Sequence, residues 1–309
     1  MDLQFKIKHM IYSIILMHRK VSFLAIIVLF VTSCGGNKEL PVAKYYNYDQ
    51  DLPLKDSVYL LKDTTGYQLF YVTFRSVNDQ TVTALLTIPK TSPAPHPIII
   101  LMHGLGDRKT VDYIETGNKY INKAGYATLR LDIAKHGDRF EDDYDFSFTD
   151  GYRYWSREII IQTVFDLRRA IDFIQTRKNL DLSRIGYYGI SLGGIIGTVL
   201  CGVEPRIKVP VIALAGGGMH LMFGMDALSD DTKDYLSMIE PLNYVEGISP
   251  RPLLMINAEN DDIVPPMMSK LMFNSANSPK EIIWYPSKHH DIPVDKVYPD
   301  GIRWFDKYL

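Results

Sequence analysis

Five nearly unbroken apolar runs constrain this chain more than any other feature: PIIILMHG (97–104), YATLRLDI (126–133), RIGYYGI (184–190), VPVIALAG (209–216) and RPLLMINA (251–258). A strand with one wet face alternates apolar and polar residues, so unbroken runs of this length predict strands buried on both faces, as in a parallel sheet. Helical patterns lie between them, near 110–124, from Ser156 to Thr176, from the third run to Cys201, and over Met267 to Phe273. EIIWYP (281–286) then reads as a further strand and VDKVYPDGIRWFDKYL as a closing helix. Ahead of all these, two β-rich runs flank Asn78-Asp79-Gln80 within residues 67–89, the pattern of a hairpin. The expected fold class is α/β, with a mostly parallel central sheet, helices on both faces and an antiparallel N-terminal hairpin. No internal repeat or long Pro/Gly/Ser linker divides residues 51–309, which predicts one domain. In such sheets, sites form at the carboxyl ends of the strands.

One of those ends carries Gly189-Ile190-Ser191-Leu192-Gly193, a G-x-S-x-G pentapeptide between a strand and a helical pattern. Composition alone produces this spacing in roughly one chain in ten of this length, so its position decides its weight. A serine held in a strained strand-to-helix turn brings the residues two before and two after it close together, and glycines fit there. A serine hydroxyl is a weak nucleophile until an adjacent base takes its proton and a third group orients that base. After a nucleophile of this kind, the acid and then the histidine follow in the chain. Glu259, Asp261 and Asp262 stand just past the run 251–258, and Asp261 is the candidate acid. Of the eight histidines only His289 and His290 follow it, in YPSKHHDIP. Backbone donors for a developing oxyanion would come from Leu105 in HGLGD (103–107) and from Leu192, with His103 a structural residue of its loop.

These motifs, with Asn260-Asp261-Asp262-Ile263-Val264-Pro265, resemble the α/β-hydrolase superfamily over residues 67–309. They are nearest in character to the dienelactone-hydrolase-like and acetyl-xylan-esterase-like groups. The resemblance implies an α/β-hydrolase fold and a serine esterase working through an acyl-enzyme, with no metal or organic cofactor. It also implies His289 as the base, because such loops read Gly-His and Lys288 stands at the glycine position; Ala258 likewise replaces a frequent glycine before the acid. Dienelactone hydrolases use a cysteine nucleophile, so Ser191 argues against that activity. The same constellation would suit a serine peptidase, and a catalytically inactive, surface-anchored binding protein is the alternative from another class.

The N-terminal part carries a different message. Arg19 and Lys20 precede an apolar stretch from Val21 to Val31, and Val31-Thr32-Ser33-Cys34 resembles a bacterial lipobox. The stretch is about half the roughly 20 residues needed to span a bilayer. The expectation is a lipoprotein-type signal over residues 1–33, starting at Met1 or Met17, lipid attachment at Cys34, a tether over 34–50 and a place in the bacterial cell envelope. A formal net charge of −2 supplies no basic field for nucleic acid. The resemblance implies a small-molecule or carbohydrate-linked ester as partner, and the lipobox implies the membrane through lipidated Cys34. A long connection with Met219, Met222, Phe223, Met225 and Met238 predicts a small cap at about 217–248, and the aromatic stretch 139–155 offers faces for stacking on a substrate.

Overall fold

The structure, a computed structural model, describes residues 44–142 and 145–309, all within one compact unit. The signal segment expected over residues 1–33 and the lipid site expected at Cys34 lie outside the described residues. Nine strands form one sheet: β1 (Ser57–Asp63), β2 (Tyr67–Arg75), β3 (Thr81–Pro89), β4 (His96–Met102), β5 (Ala127–Leu131), β6 (Leu180–Ile190), β7 (Val209–Ala213), β8 (Leu253–Ala258) and β9 (Lys280–Tyr285). Their order is β1-β2-β3-β5-β4-β6-β7-β8-β9. The first three pair antiparallel and β3 joins β5 antiparallel, whereas β5, β4, β6, β7, β8 and β9 run parallel. Among the described residues these α-helices accompany them: α1 (Asp112–Lys123), α2 (Arg153–Gln175), α3 (Leu192–Val203), α4 (Asp230–Leu236), α5 (Pro266–Ser275) and α6 (Val294–Tyr308).

The unbroken apolar runs have the expected cause. Along β4, Ile98, Ile100 and Met102 face a core shared with α2 and α3, while Ile99 and Leu101 face a second core shared with α1 and α6. Each residue of such a strand finds an apolar neighbour whichever way it points, so no polar position is tolerated. The hairpin of β2 and β3 turns at Val77–Asp79, as predicted. Strand β1 was not predicted: SVYLLKD sits at the sheet edge with Tyr59, Leu60 and Leu61 exposed, held by its backbone ladder to β2 rather than by a buried face. Strand β6 begins four residues earlier than its apolar run, because Leu180 already pairs with His96 of β4; the polar residues Asp181–Arg184 form an irregularity between that pair and Ile98–Ile185.

The expected tether over 34–50 needs correction in its described part. Residues 44–50 dock on the domain: Tyr46 is fully buried against Phe165 and Tyr244, and its hydroxyl donates to the Met238 carbonyl at 2.8 Å. Tyr48 donates to Asp172 at 2.7 Å. Beneath them the carboxylates of Asp172 and Glu204 are shared among Arg168, Arg169 and Arg206. Burial pushes the Glu204 carboxyl up, but the Arg206 and Arg168 guanidiniums outweigh it and leave the group below its ordinary value.

Helix α3 lies unusually close to the sheet. A Cβ at Gly197 would stand 2.1 Å from a ring carbon of Tyr187, a fully buried residue of β6. No rotamer of a ring enclosed on all sides relieves that overlap, so the helix must shift. Gly197→Ala is expected to lower the unfolding free energy by about 1–3 kcal/mol. Denaturant titration of the two proteins measures the difference.

Candidate active site

Ser191 is the single residue between the end of β6 and the start of α3, with φ 56° and ψ −119°. This left-handed backbone is costly for a residue with a side chain, and it persists only where the surroundings over-determine it. Three contacts do so. The Ser191 N–H donates to the Ala213 carbonyl of β7 at 2.9 Å, and the Ser191 carbonyl accepts from the Gly194 and Ile195 amides at 2.8 and 3.0 Å. A Cβ at Gly193 would lie 2.5 Å from the His103 carbonyl, so the first turn of α3 sits directly on the loop after β4.

The candidate acid and base reach this serine from two other strand ends. Past β8, Asp261 is buried, and its Oδ1 accepts the backbone N–H groups of Ile263 at 2.9 Å and Val264 at 2.7 Å. Those donors fix the orientation of the carboxylate. Past β9, His289 is 4% exposed; its Nδ1 lies 2.9 and 2.8 Å from the Asp261 oxygens and its Nε2 3.0 Å from Ser191 Oγ. With the proton on Nδ1 donated to Asp261, Nε2 is left to accept the serine proton. The order Asp261–His289–Ser191 thus forms one continuous hydrogen-bonded line.

The other candidates fall elsewhere. His290 is exposed and its ring packs edge-on against His289, with centroids 5.3 Å apart, but it bonds to neither Ser191 nor Asp261. Glu259 is exposed beyond β8. Asp262 faces Lys288 at 3.4 Å; its own backbone N–H and the Lys288 ammonium hold its carboxyl below the usual range. The residue at the expected glycine position therefore ties the histidine loop to the acid loop.

Leu105 and Leu192 both line the cavity above Ser191, and among the described residues neither N–H is spent on a protein acceptor. Their loop is braced by His103, which is fully buried. Its Nδ1–H donates to the Gly104 carbonyl at 2.7 Å, and its Nε2 accepts the Ile133 N–H at 3.1 Å. Only the neutral Nδ1–H tautomer satisfies both bonds. Burial pushes the imidazolium down to about 4, in keeping with that state and with a structural residue rather than a base.

Tyr113 was not singled out from the sequence. Its hydroxyl accepts the Gly104 N–H at 2.7 Å and donates to Asp107 at 2.8 Å, which fixes the same loop from α1. Glu240 was missed too: its buried carboxylate accepts the amides of Gly218 at 2.7 Å, Met219 at 2.6 Å and Leu242 at 3.2 Å. It thereby pins the segment that carries Met219 against the site.

The cavity has a volume of about 520 Å³, and its walls are chiefly apolar. Met219 and Met222 from the 217–248 connection line it, as do Phe146 and Phe148 from the aromatic stretch 139–155. Phe223 and Met238 pack on the core instead, and Met225 stands free in solvent. The long connection therefore contributes part of one wall.

A neutral His103 makes a spectroscopic prediction. Ring ¹⁵N shifts of selectively labelled protein should keep the pattern of a neutral Nδ1–H imidazole as pH falls from 7 to 5. Because the folded value lies below the unfolded one, near 6.5, the stabilisation from neutral His103 is complete above that value and declines as pH falls toward 4. Protonation of His103 in folded protein at pH 6 would contradict the assignment.

Comparison with known proteins agrees with this architecture. The sequence profile described as acetyl xylan esterase (AXE1) matches residues 39–214. Acetyl esterase Axe7A of Xylanibacter ruminicola is 20% identical over 274 residues, which cover 80% of this chain and 60% of Axe7A. Among solved structures, the acetyl xylan esterase from Paenibacillus sp. R4 superposes with a TM-score of 0.69 at 20% identity, covering 89% of this chain and 96% of that one. Acetyl xylan esterase 1 from Thermoanaerobacterium sp. JW/SL YS485 gives a TM-score of 0.68 at 18% identity, covering 86% and 93%. The chain has the α/β-hydrolase fold and belongs to the acetyl xylan esterase (AXE1) family.

Proposed function

We propose that this protein hydrolyses carboxylic esters, with short acyl groups on carbohydrate as the substrate class. The observation that carries the proposal is the hydrogen-bonded line Asp261–His289–Ser191 at the floor of an apolar cavity. In the proposed reaction, His289 Nε2 takes the Ser191 proton as Oγ attacks the ester carbonyl, and Asp261 stabilises the imidazolium that forms. The Leu105 and Leu192 amides receive the oxyanion. Collapse of the tetrahedral intermediate breaks the bond to the alcohol oxygen, which leaves with the proton from His289. Water, deprotonated by the same imidazole, then attacks the acyl-enzyme and releases the carboxylic acid. The carbohydrate alcohol is suggested by the family and by the names of the relatives above, and Met219, Met222, Phe146 and Phe148 supply an apolar wall for the acyl side.

A panel of p-nitrophenyl esters of increasing acyl length, aryl amides and acetylated sugars tests this directly. Ester turnover should exceed amide turnover, and Ser191→Ala should lose at least about a thousandfold in kcat. His289→Ala should be comparably impaired, while His290→Ala stays close to wild type. Amide turnover above ester turnover, or activity surviving in Ser191→Ala, would overturn the proposal.

The proposed location is the cell envelope, through a lipid on Cys34, supported by the basic, apolar and small-residue succession of residues 19–34. In a bacterial host, wild-type protein should fractionate with membranes, and Cys34→Ala should not carry diacylglycerol by mass spectrometry of its N-terminal peptide. Wild-type protein free of lipid would refute the anchor.

A further inference from the structure

A second cavity, of about 410 Å³, opens where the loop after β5 meets the start of α2. Its lining includes Lys135, Arg139, Glu141, Glu158, Gln162 and Trp155. Trp155 decides its chemistry. The side chain is 62% exposed, yet among the described residues its ring has no aromatic or cationic partner and its Nε1–H no acceptor. An indole left open at the mouth of a cavity is an apolar face with a donor on its rim. Among the charged lining residues Lys135, Arg139, Glu141 and Glu158 the formal charges cancel. Lys135 is ion-paired with Glu141, Arg139 donates to the buried Asp166 at 2.6 Å, and Glu158 lies 3.4 Å from Arg157. Balanced, paired charge attracts neither an anion nor a cation, whereas carboxylate oxygens and a free indole N–H suit hydroxyl groups.

A ligand with an apolar ring face and a rim of hydroxyls fits that description, and such a ligand is a neutral sugar. The cavity is tied to the catalytic one through a shared segment: Glu141 and Trp155 line this cavity, and Phe146 and Phe148, between them in sequence, line the one above Ser191. Both also lie at the carboxyl end of the sheet, past the neighbouring strands β4 and β5. We infer that the Trp155 cavity binds an unesterified pyranose unit of the same polysaccharide whose ester is cleaved at Ser191, so that it acts as a subsite for the polymer. The choice of sugar rests on the ester hydrolase proposed above.

The test compares wild type, Trp155→Ala and Trp155→Phe on acetylated xylan and on p-nitrophenyl acetate. Trp155→Ala should raise KM for the polymer roughly three- to tenfold, the range of one lost aromatic contact, and leave the small ester unchanged. Trp155→Phe should recover most of the polymer's KM. Calorimetric titration of Ser191→Ala protein with unacetylated xylohexaose should show binding that Ser191→Ala/Trp155→Ala lacks. Equal polymer KM in wild type and Trp155→Ala, a parallel loss on both substrates, or equal xylohexaose affinity in the two titrated proteins would overturn the subsite. Wild type that turns over no ester would defeat the hydrolase proposal instead, while the titration, which needs no turnover, still decides the cavity.

Discussion

The strained backbone of Ser191 is the constraint on which the rest of the site depends. A strand must end and a helix begin within one residue, and that residue has a side chain in a region L-amino acids avoid at a cost of about 1–3 kcal/mol. Packing below the turn supplies the resistance. Tyr187 fills the space left open by Gly189 and Gly197, where added Cβ atoms would lie 2.6 and 2.1 Å from its ring, and its hydroxyl donates to the Gly193 carbonyl at 2.6 Å. One aromatic side chain of β6 thus holds both the strand end and the first turn of α3. The glycines of IGYYGISLGGIIG are explained together with that tyrosine rather than by the serine alone.

Much of this was legible in the chain because the physics is local. Runs such as PIIILM announce a strand buried on both faces; G-x-S-x-G and Asp261 sit just past such runs, and His289 just past the half-buried strand β9. Position along the strand carried the information, since parallel strands deliver their carboxyl ends to one edge. The less legible parts depend on distant partners. Strand β1 has no buried face and so no period. Tyr113 acts through a hydroxyl that meets Gly104 nine residues earlier, across the turn into α1. Glu240 captures amides more than twenty residues before it. Nothing in the neighbourhood of either residue distinguishes it from a surface tyrosine or a solvated glutamate.

Lys288 shows how a departure from a familiar pattern can be neutral or useful. A glycine before this histidine would give its loop freedom; here a lysine occupies the place, and its ammonium lies 3.4 Å from Asp262 on the loop that carries Asp261. Both partners are more than half exposed, so the pair contributes little to stability at ordinary salt. Its geometric effect is separate from its energy: two loops that must meet at the His289–Asp261 bond are joined at a second point.

The docking of Tyr46 and Tyr48 sets a length scale. With Tyr46 buried against Phe165 and Tyr244, any chain running back toward Cys34 starts from a fixed spot on the domain, not from a free end. Tyr46 lies twelve positions after Cys34, and at full extension that length of chain reaches about 40 Å. A lipid on Cys34 would therefore confine the docking point to a shell no thicker than that above the bilayer. Substrate would then meet the protein as a surface-bound reagent whose encounter rate follows how near a polymer approaches the envelope, and not only its bulk concentration.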